Sequence, residues 1–193
     1  AWDLSALTVY AFSHENWRRS RNEVDHLMNL LERTLVAELP SLVEEGVKVT
    51  VMGDMGMIDD GLRAAITNAV DATATNTKLR LNVALAYGAR QDIVAAARML
   101  ATEAAGGLLD PEDITEDLLG EHLASRTLPA DLRNPDLLVR PGGERRVSNF
   151  LLWELAYTEL YFADVMWPEF GEKDFAQALG WYAGRQRRFG TRG

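Results

Sequence analysis

The chain has 193 residues, of which 47% are hydrophobic and 25% are charged, and its formal net charge is −9 at pH 7. This composition is typical of one globular domain, and the negative charge disfavours nonspecific binding to nucleic acid or to an anionic membrane. Because the chain has no Cys and only three His, a disulfide framework and an imidazole-rich metal site are excluded, and a bound metal would be a hard ion on carboxylates.

Short apolar runs rich in branched residues alternate along the chain with longer stretches of helical period, which predicts a parallel sheet covered by helices. The predicted strands are Leu7–Phe12, Val47–Met52, Leu79–Ala86, Pro135–Val139 and Leu160–Val165. Apolar residues at helical spacing predict amphipathic helices around 24–39 and 93–100, a loop over 106–111 and a terminal helix over 173–188. The expected fold class is therefore α/β, a single domain over 1–193 with a mainly parallel β-sheet flanked by helices.

Polar or glycine-rich segments follow four of the predicted strands. Ligands of open parallel sheets bind beyond the carboxyl ends of the strands, where the chain turns into the next element. These segments are residues 13–19, 53–54, 87–90 and 140–146. Two of them carry adjacent arginines, which makes them the first candidates for an anion site.

The segment that begins at Arg140 combines a Pro-Gly-Gly turn with two further arginines, then Ser148 and Asn149 at a predicted helix start. The N–H groups of a first helical turn and guanidinium groups both bind phosphate oxygens. Arg140, Arg146 and Ser148 therefore predict a diphosphate site. The alternative is a tight turn in which Ser148 or Asn149 caps a helix and the arginines are solvated.

The segment after the first predicted strand brings Ser13, Asn16, Trp17 and Arg19 close together in sequence, with Glu23 where a helix begins. Arg19 can bind a phosphate, Ser13 and Asn16 can orient a group or relay a proton, and Trp17 can wall an apolar ligand. The alternative is that Ser13 or Asn16 caps the helix and Trp17 packs in the core.

These segments resemble the cis-prenyltransferase family of the undecaprenyl diphosphate synthase type, the isoprenyl transferases. The resemblance is carried by residues 10–19, Tyr-Ala-Phe-Ser-His-Glu-Asn-Trp-Arg-Arg, and by residues 140–153, 159–162 and 167–168. Shorter matches at 53–54, 87–90 and 187–190 follow in the family's order, so the resemblance covers essentially the whole chain. It implies the cis-prenyltransferase α/β fold, not the all-α fold of trans-prenyltransferases, and a homodimer.

The resemblance implies a Mg²⁺-dependent transferase that condenses isopentenyl diphosphate with an allylic diphosphate such as farnesyl diphosphate. The product would be a cis-polyprenyl diphosphate, the precursor of a lipid carrier for cell-wall synthesis. We expect a cytoplasmic enzyme that binds no nucleic acid and contacts the inner face of the membrane at most peripherally, through its lipid product. A non-catalytic partner subunit with the same fold is the alternative, and a nucleotide-binding module is disfavoured because no glycine-rich phosphate loop is present.

Individual roles follow from the positions that match the family's motifs. Arg140, Arg146 and Ser148 match residues that hold the diphosphate of isopentenyl diphosphate, with Val147 between them, and Glu159 matches a magnesium ligand. Asn16 matches the position implicated in removing the proton during condensation, and is the predicted catalytic residue. The other matched substrate-site positions are Ser13, His14, Glu15, Trp17, Arg19 and Glu23.

The chain departs from the family at its start. The family opens with a strand that ends in Met-Asp-Gly-Asn-x-Arg-Trp-Ala, and neither Asp3 nor Asp54 has that context. We therefore expect the first strand, the catalytic Asp and half of the allylic site to lie upstream of residue 1, and the present chain alone to be inactive. Ala89, where a second Gly is usual, and Pro141, where Thr is commoner, are smaller departures.

Two features bear on product length. Ala11 lies where the first strand meets the predicted site, and its small side chain predicts an open tunnel and a long product. The alternative is that Ala11 is small to let a helix pack against the sheet. Apolar residues of the first helix are candidates to line the tunnel or belong to the plain core, namely Leu27, Met28, Leu30 and Leu31.

Overall fold

The computed structural model describes residues 2–186, and the chain divides into two compact units, Ala1–Leu132 and Arg133–Gly193. The strands are β1 (Ala6–Ser13), β2 (Val47–Met52), β3 (Leu79–Tyr87), β4 (Leu137–Arg140) and β5 (Glu159–Phe162). The α-helices are α1 (Arg21–Glu44), α2 (Asp60–Ala72), α3 (Ala89–Ala105), α4 (Glu116–His122), α5 (Ala130–Arg133) and α6 (Glu172–Ala183). Short 3-10 helices span His14–Arg18, Met55–Met57, Pro111–Asp113, Ala124–Thr127, Glu154–Tyr157 and Trp167–Glu169.

The first unit contains a three-stranded sheet of order β1-β3-β2, and both strand pairs are parallel. Helix α1 begins at a Ser20 cap and helix α2 at an Asp59 cap, each of which accepts a backbone N–H with its side-chain oxygen. A buried apolar cluster joins β1, α1, α2 and β3 and consists of Phe12, Val24, Met28, Ile58, Leu62, Ile66 and Leu85. Because the strands are parallel, their carboxyl ends and the three polar segments that follow them meet at one edge of this sheet.

The second unit contains a parallel pair, β4 and β5, in which Leu137 pairs with Glu159 and Arg140 pairs with Phe162. Glu159 therefore begins β5 at the opposite end of this pair from Arg140, about 10 Å away along the strand direction. All five predicted strands are present, and the predicted parallel α/β class is confirmed. The strands form two sheets among the described residues, where one was expected. The single-domain interpretation stays a prediction.

Two predicted strand boundaries differ from the structure by more than one residue. Strand β4 begins at Leu137 and not at Pro135, since proline has no N–H to donate to a ladder. Strand β5 ends at Phe162 and not at Val165, because the carbonyls of Ala163 and Val165 accept the N–H groups of the glycine turn that follows β4.

The predicted terminal helix is shorter than expected, because α6 ends at Ala183. Gly184 and Arg185 donate their N–H groups to the carbonyls of Trp181 and Tyr182, and this tighter hydrogen bonding closes the last turn. The predicted helical positions Arg187 and Arg188 lie outside the described residues. Over residues 2–186, no helix has both the length and the apolar character needed to cross a membrane.

Candidate active site

The segment after β1 folds into a 3-10 turn, His14–Arg18, that Ser13 and Asn16 close reciprocally. The Asn16 N–H donates to Ser13 Oγ at 3.3 Å, and the Ser13 N–H donates to Asn16 Oδ1 at 3.0 Å. This arrangement is a capping box of the 3-10 turn, whereas helix α1 is capped by Ser20 and not by Ser13 or Asn16. The box also holds the Asn16 carboxamide in one orientation at the carboxyl end of β1.

Trp17 and Arg19 have different environments in the same segment. The Trp17 ring packs edge-on against Phe12, with centroids 5.3 Å apart, and lies at the margin of the apolar cluster. Its indole N–H is buried, and no acceptor lies within hydrogen-bonding distance of it among residues 2–186. Arg19 donates to Glu23 at 2.9 Å across one helical turn, and both side chains are about half exposed. The structure thus brings Arg19 and Glu23 together, as their spacing suggests.

Tyrosine side chains at the ends of β1 and β3 add a polar group to this edge that sequence reasoning missed. The Tyr10 hydroxyl donates to the Tyr87 carbonyl at 3.0 Å. Burial and the nearby charge of Glu15 raise the pKa of Tyr10 to about 12, so this hydroxyl stays protonated at neutral pH. His14 approaches Gln91 at 3.4 Å at the same edge. Tyr10 and Tyr87 both lie in the segments that match the family motifs, and that match could have pointed to them from the sequence.

Asp92, in the first turn of α3, is a second missed residue. Its two carboxylate oxygens accept the Ala124 N–H at 3.0 and 3.1 Å, and burial raises the pKa of this carboxyl. Asp92 therefore fixes the 3-10 turn that begins at Ala124 against α3.

The loop after β4 corrects one prediction, because no helix begins at Ser148 or Asn149. These residues have φ of +48° and +61°, and Leu151 has φ of +47°. Left-handed backbone at three positions interrupts the repeated right-handed geometry that a helix requires. The N–H groups of Gly142 and Gly143 donate to Val165 and Ala163 at 2.8 and 3.0 Å. The helix N-terminus expected to bind an anion is therefore absent.

The predicted diphosphate ligands nevertheless lie together in this loop. Arg140 Nη1 donates to Ser148 Oγ at 2.8 Å and to the carbonyl oxygen of Arg146. The Arg146 guanidinium pairs with Glu144 and is 62% exposed. Val147 is partly buried, and its carbonyl accepts the Phe150 N–H at 3.0 Å. Side chains, not backbone N–H groups, thus provide the positive charge of this loop.

Glu159 is not part of the Arg140 cluster, because the register of β4 and β5 places it at the opposite end of the strand pair. Its carboxylate has a different partner. Its Oε2 accepts a hydrogen bond from Arg185 Nε at 3.0 Å. The Arg185 guanidinium also lies over the Trp181 ring, 5.1 Å from its centroid. Over residues 2–186, no group of three His, Cys, Asp or Glu side chains could hold a metal ion. The described residues alone therefore do not fit a complete Mg²⁺ site.

Comparisons with known proteins identify the family. The family described as "Putative undecaprenyl diphosphate synthase" matches residues 1–190. The chain is 51% identical to a ditrans,polycis-undecaprenyl-diphosphate synthase ((2E,6E)-farnesyl-diphosphate specific) of Xanthomonas campestris, and the match covers 97% of this chain and 71% of that protein. An isoprenyl transferase of Geobacillus kaustophilus is 49% identical, with the same coverage of both chains.

Solved structures give the same result. Lavandulyl diphosphate synthase from Lavandula x intermedia, solved in complex with dimethylallyl diphosphate, superposes with a TM-score of 0.93 at 39% identity, over 97% of this chain and 79% of that chain. A probable undecaprenyl diphosphate synthase from Campylobacter jejuni superposes with a TM-score of 0.83 at 32% identity, over 97% and 85%. The chain therefore belongs to the undecaprenyl diphosphate synthase family of prenyltransferases, as its motifs predicted.

Proposed function

We propose that this protein condenses isopentenyl diphosphate with an allylic diphosphate, and that Arg140, Arg146 and Ser148 hold the diphosphate of isopentenyl diphosphate. The observation that carries the proposal is the clustering of these residues through Arg140, which donates to Ser148 at 2.8 Å and to the Arg146 carbonyl. Guanidinium groups bind phosphate oxygens in a fork, and a diphosphate would displace Glu144 from the exposed guanidinium of Arg146.

The reaction breaks the C–O bond between the allylic carbon and its diphosphate and forms a C–C bond to the terminal carbon of isopentenyl diphosphate. A proton then leaves the new chain, and diphosphate is released. Positive side chains close to a departing diphosphate stabilise the charge that develops on it. In the first unit we assign this role to Arg19, which would exchange its Glu23 partner for phosphate oxygens.

Asn16 is the proposed residue for proton removal. One lone pair of its Oδ1 accepts the Ser13 N–H, and the second lone pair can face the proton. A carboxamide is a weak base, so Asn16 would relay the proton to a stronger acceptor, such as a diphosphate oxygen. Trp17, whose ring packs against Phe12, is proposed to wall an apolar part of the substrate, while Ser13, His14, Glu15 and Glu23 complete the proposed substrate-binding residues of this segment.

Kinetics of Arg146→Ala in the full-length protein test the proposal. Loss of a hydrogen bond to a charged group, about 1.5–3 kcal/mol, should raise the KM for isopentenyl diphosphate roughly 10- to 150-fold. Arg145→Ala is the matched control, since it removes the same charge from the adjacent exposed position. Equal KM values for the two variants would contradict the assignment, and absence of condensation by the wild type would favour the non-catalytic partner subunit.

We propose Glu159 as one magnesium ligand, as its match to the family implies. Magnesium supplies charge stabilisation of the leaving diphosphate when bound. Over residues 2–186 no group of three potential ligand side chains could hold a metal ion, and the Glu159 carboxylate is paired with Arg185, so no step of the mechanism is assigned to the metal.

Product length is proposed to depend on Ala11. The Ala11 side chain is exposed at an irregularity in the β1–β3 register, which disfavours the alternative that a helix packs against it in this unit. Among the tunnel candidates, Met28 is buried in the apolar cluster and Leu30 is 46% exposed.

We expect Ala11→Leu in the full-length enzyme to shorten the products, measured by mass spectrometry, without lowering the melting temperature. Unchanged products with lower stability would instead assign Ala11 to the core.

We also propose a homodimer that works in the cytoplasm. Several large apolar side chains of the second unit are exposed, which supports self-association. These are Leu152, Tyr157, Leu160, Met166 and Trp167. A monomeric mass in sedimentation equilibrium of the full-length protein would contradict the dimer.

A further inference from the structure

Tyr10 of β1 lies beside the two residues that close the turn after this strand. Its hydroxyl donates to the Tyr87 carbonyl at 3.0 Å, and a side-chain hydrogen bond joins the hydroxyl to Ser13. Ser13 Oγ accepts the Asn16 N–H, and Asn16 Oδ1 accepts the Ser13 N–H. One series of hydrogen bonds, the Tyr10 chain, therefore runs from the Tyr87 carbonyl through Tyr10 and Ser13 to the Asn16 carboxamide.

The register of β1 and β3 brings these groups together. Each strand has one residue outside the regular pairing, Ala11 in β1 and Ala86 in β3. The two irregularities cancel, so Ser13 lies opposite Tyr87 in the register of the rest of the pair. Ala86 has φ of +50°, a conformation that L-residues rarely adopt. Backbone strain of this kind is concentrated at functional sites, and here it directly precedes the residue whose carbonyl accepts the Tyr10 hydroxyl.

The Tyr87 carbonyl is a fixed anchor for this hydroxyl. Tyr87 is 2% exposed, and its side chain hydrogen-bonds Asp92 in the first turn of α3. The Tyr10 ring also packs edge-on against the Tyr87 ring, with centroids 6.2 Å apart. Because the pKa of Tyr10 is about 12, its hydroxyl keeps its proton at neutral pH and stays a donor. The ring and the hydroxyl of Tyr10 are therefore both held against β3.

We propose that Tyr10 is a positioning residue for the condensation reaction, because its hydroxyl holds Ser13 and thereby orients the Asn16 carboxamide. The inference rests on the proposed role of Asn16 in proton removal. The free lone pair of Asn16 Oδ1 faces the proton only while the carboxamide keeps its orientation. Without the Tyr10 hydroxyl, the Ser13 side chain loses its link to β3, and the carboxamide is oriented less strictly.

Kinetics of Tyr10→Phe in the full-length protein test the inference. The substitution keeps the ring and removes only the hydroxyl, so the protein should fold and melt close to the wild type. We expect kcat to fall roughly two- to tenfold, the factor that one neutral hydrogen bond contributes, with both KM values unchanged. Thr67→Val is the matched control, since it removes a hydroxyl of α2 that also donates to a backbone carbonyl at 3.0 Å. This control should keep the wild-type kcat.

A double-mutant cycle separates the positioning of Asn16 from a general structural effect. In the Asn16→Ala background, Tyr10→Phe should not lower kcat further, because the group that Tyr10 orients is gone. An equal loss of kcat in both backgrounds would overturn the inference, as would an unchanged kcat or a raised KM in Tyr10→Phe alone. Wild-type kcat in Asn16→Ala would overturn the proposed role of Asn16 and this inference with it, while Arg146→Ala tests the diphosphate site separately.

Discussion

Replacement of Asn16 by alanine in the full-length enzyme is expected to lower kcat by a factor on the order of 10²–10⁴, the usual contribution of a positioned proton-transfer group. The Asn16 carboxamide is held by the Ser13 N–H at 3.0 Å and is thereby oriented at the end of β1. Loss of a group that acts in the chemical step should lower kcat with little change in either KM. Steady-state kinetics with both substrates measures this split.

The same substitution also removes a cap, and a second variant separates the two effects. Loss of the capping bond should cost about 0.5–2 kcal/mol of stability. Asn16→Asp keeps an oxygen that can accept the Ser13 N–H but removes the carboxamide N–H₂ and adds a charge. We expect Asn16→Asp to melt close to the wild type yet remain slow. Wild-type turnover by the folded fraction of Asn16→Ala would mean that position 16 serves only as a cap.

Gly53→Ala is expected to destabilise the fold by more than about 4 kcal/mol, a large part of the ~5–15 kcal/mol that stabilises a domain. Gly53 directly follows β2 with φ of +124°, and a Cβ there would lie 1.9 Å from the Leu85 carbonyl oxygen. That oxygen belongs to β3, which pairs with strands on both sides and cannot retreat without loss of ladder hydrogen bonds. Urea unfolding, or loss of soluble protein, measures the effect.

Gly107→Ala is the matched control for backbone strain. Gly107 also has positive φ, +71°, but a Cβ there would meet no atom within 4 Å. Its substitution should cost only about 1–2 kcal/mol, the penalty for left-handed backbone in an L-residue. If Gly53→Ala were no more destabilising than Gly107→Ala, the close approach to Leu85 would not limit the residue at position 53.

The sequence by itself determined the α/β class, the five parallel strands and the family. The run Val47–Met52 identifies a strand because β-branched residues predominate in it, and β2 has the predicted bounds with Val47, Val49 and Met52 buried. The amphipathic spacing that includes Val24 and Met28 predicted α1, which buries both. The motif residues of the loops could be assigned from the sequence, because a match to a family depends only on the identity and order of the residues.

Only the tertiary structure decided how the site residues contact one another. The glycines after β4 suggested a helix start, but contacts with Ala163 and Val165 use their N–H groups, and Ser148 takes a left-handed conformation. Arg185 gave no local signal, since its partner Glu159 lies 26 residues earlier in the chain. Local periodicity reports which faces are buried, whereas hydrogen bonds and ion pairs between distant residues depend on strand register and loop closure, which local patterns do not encode.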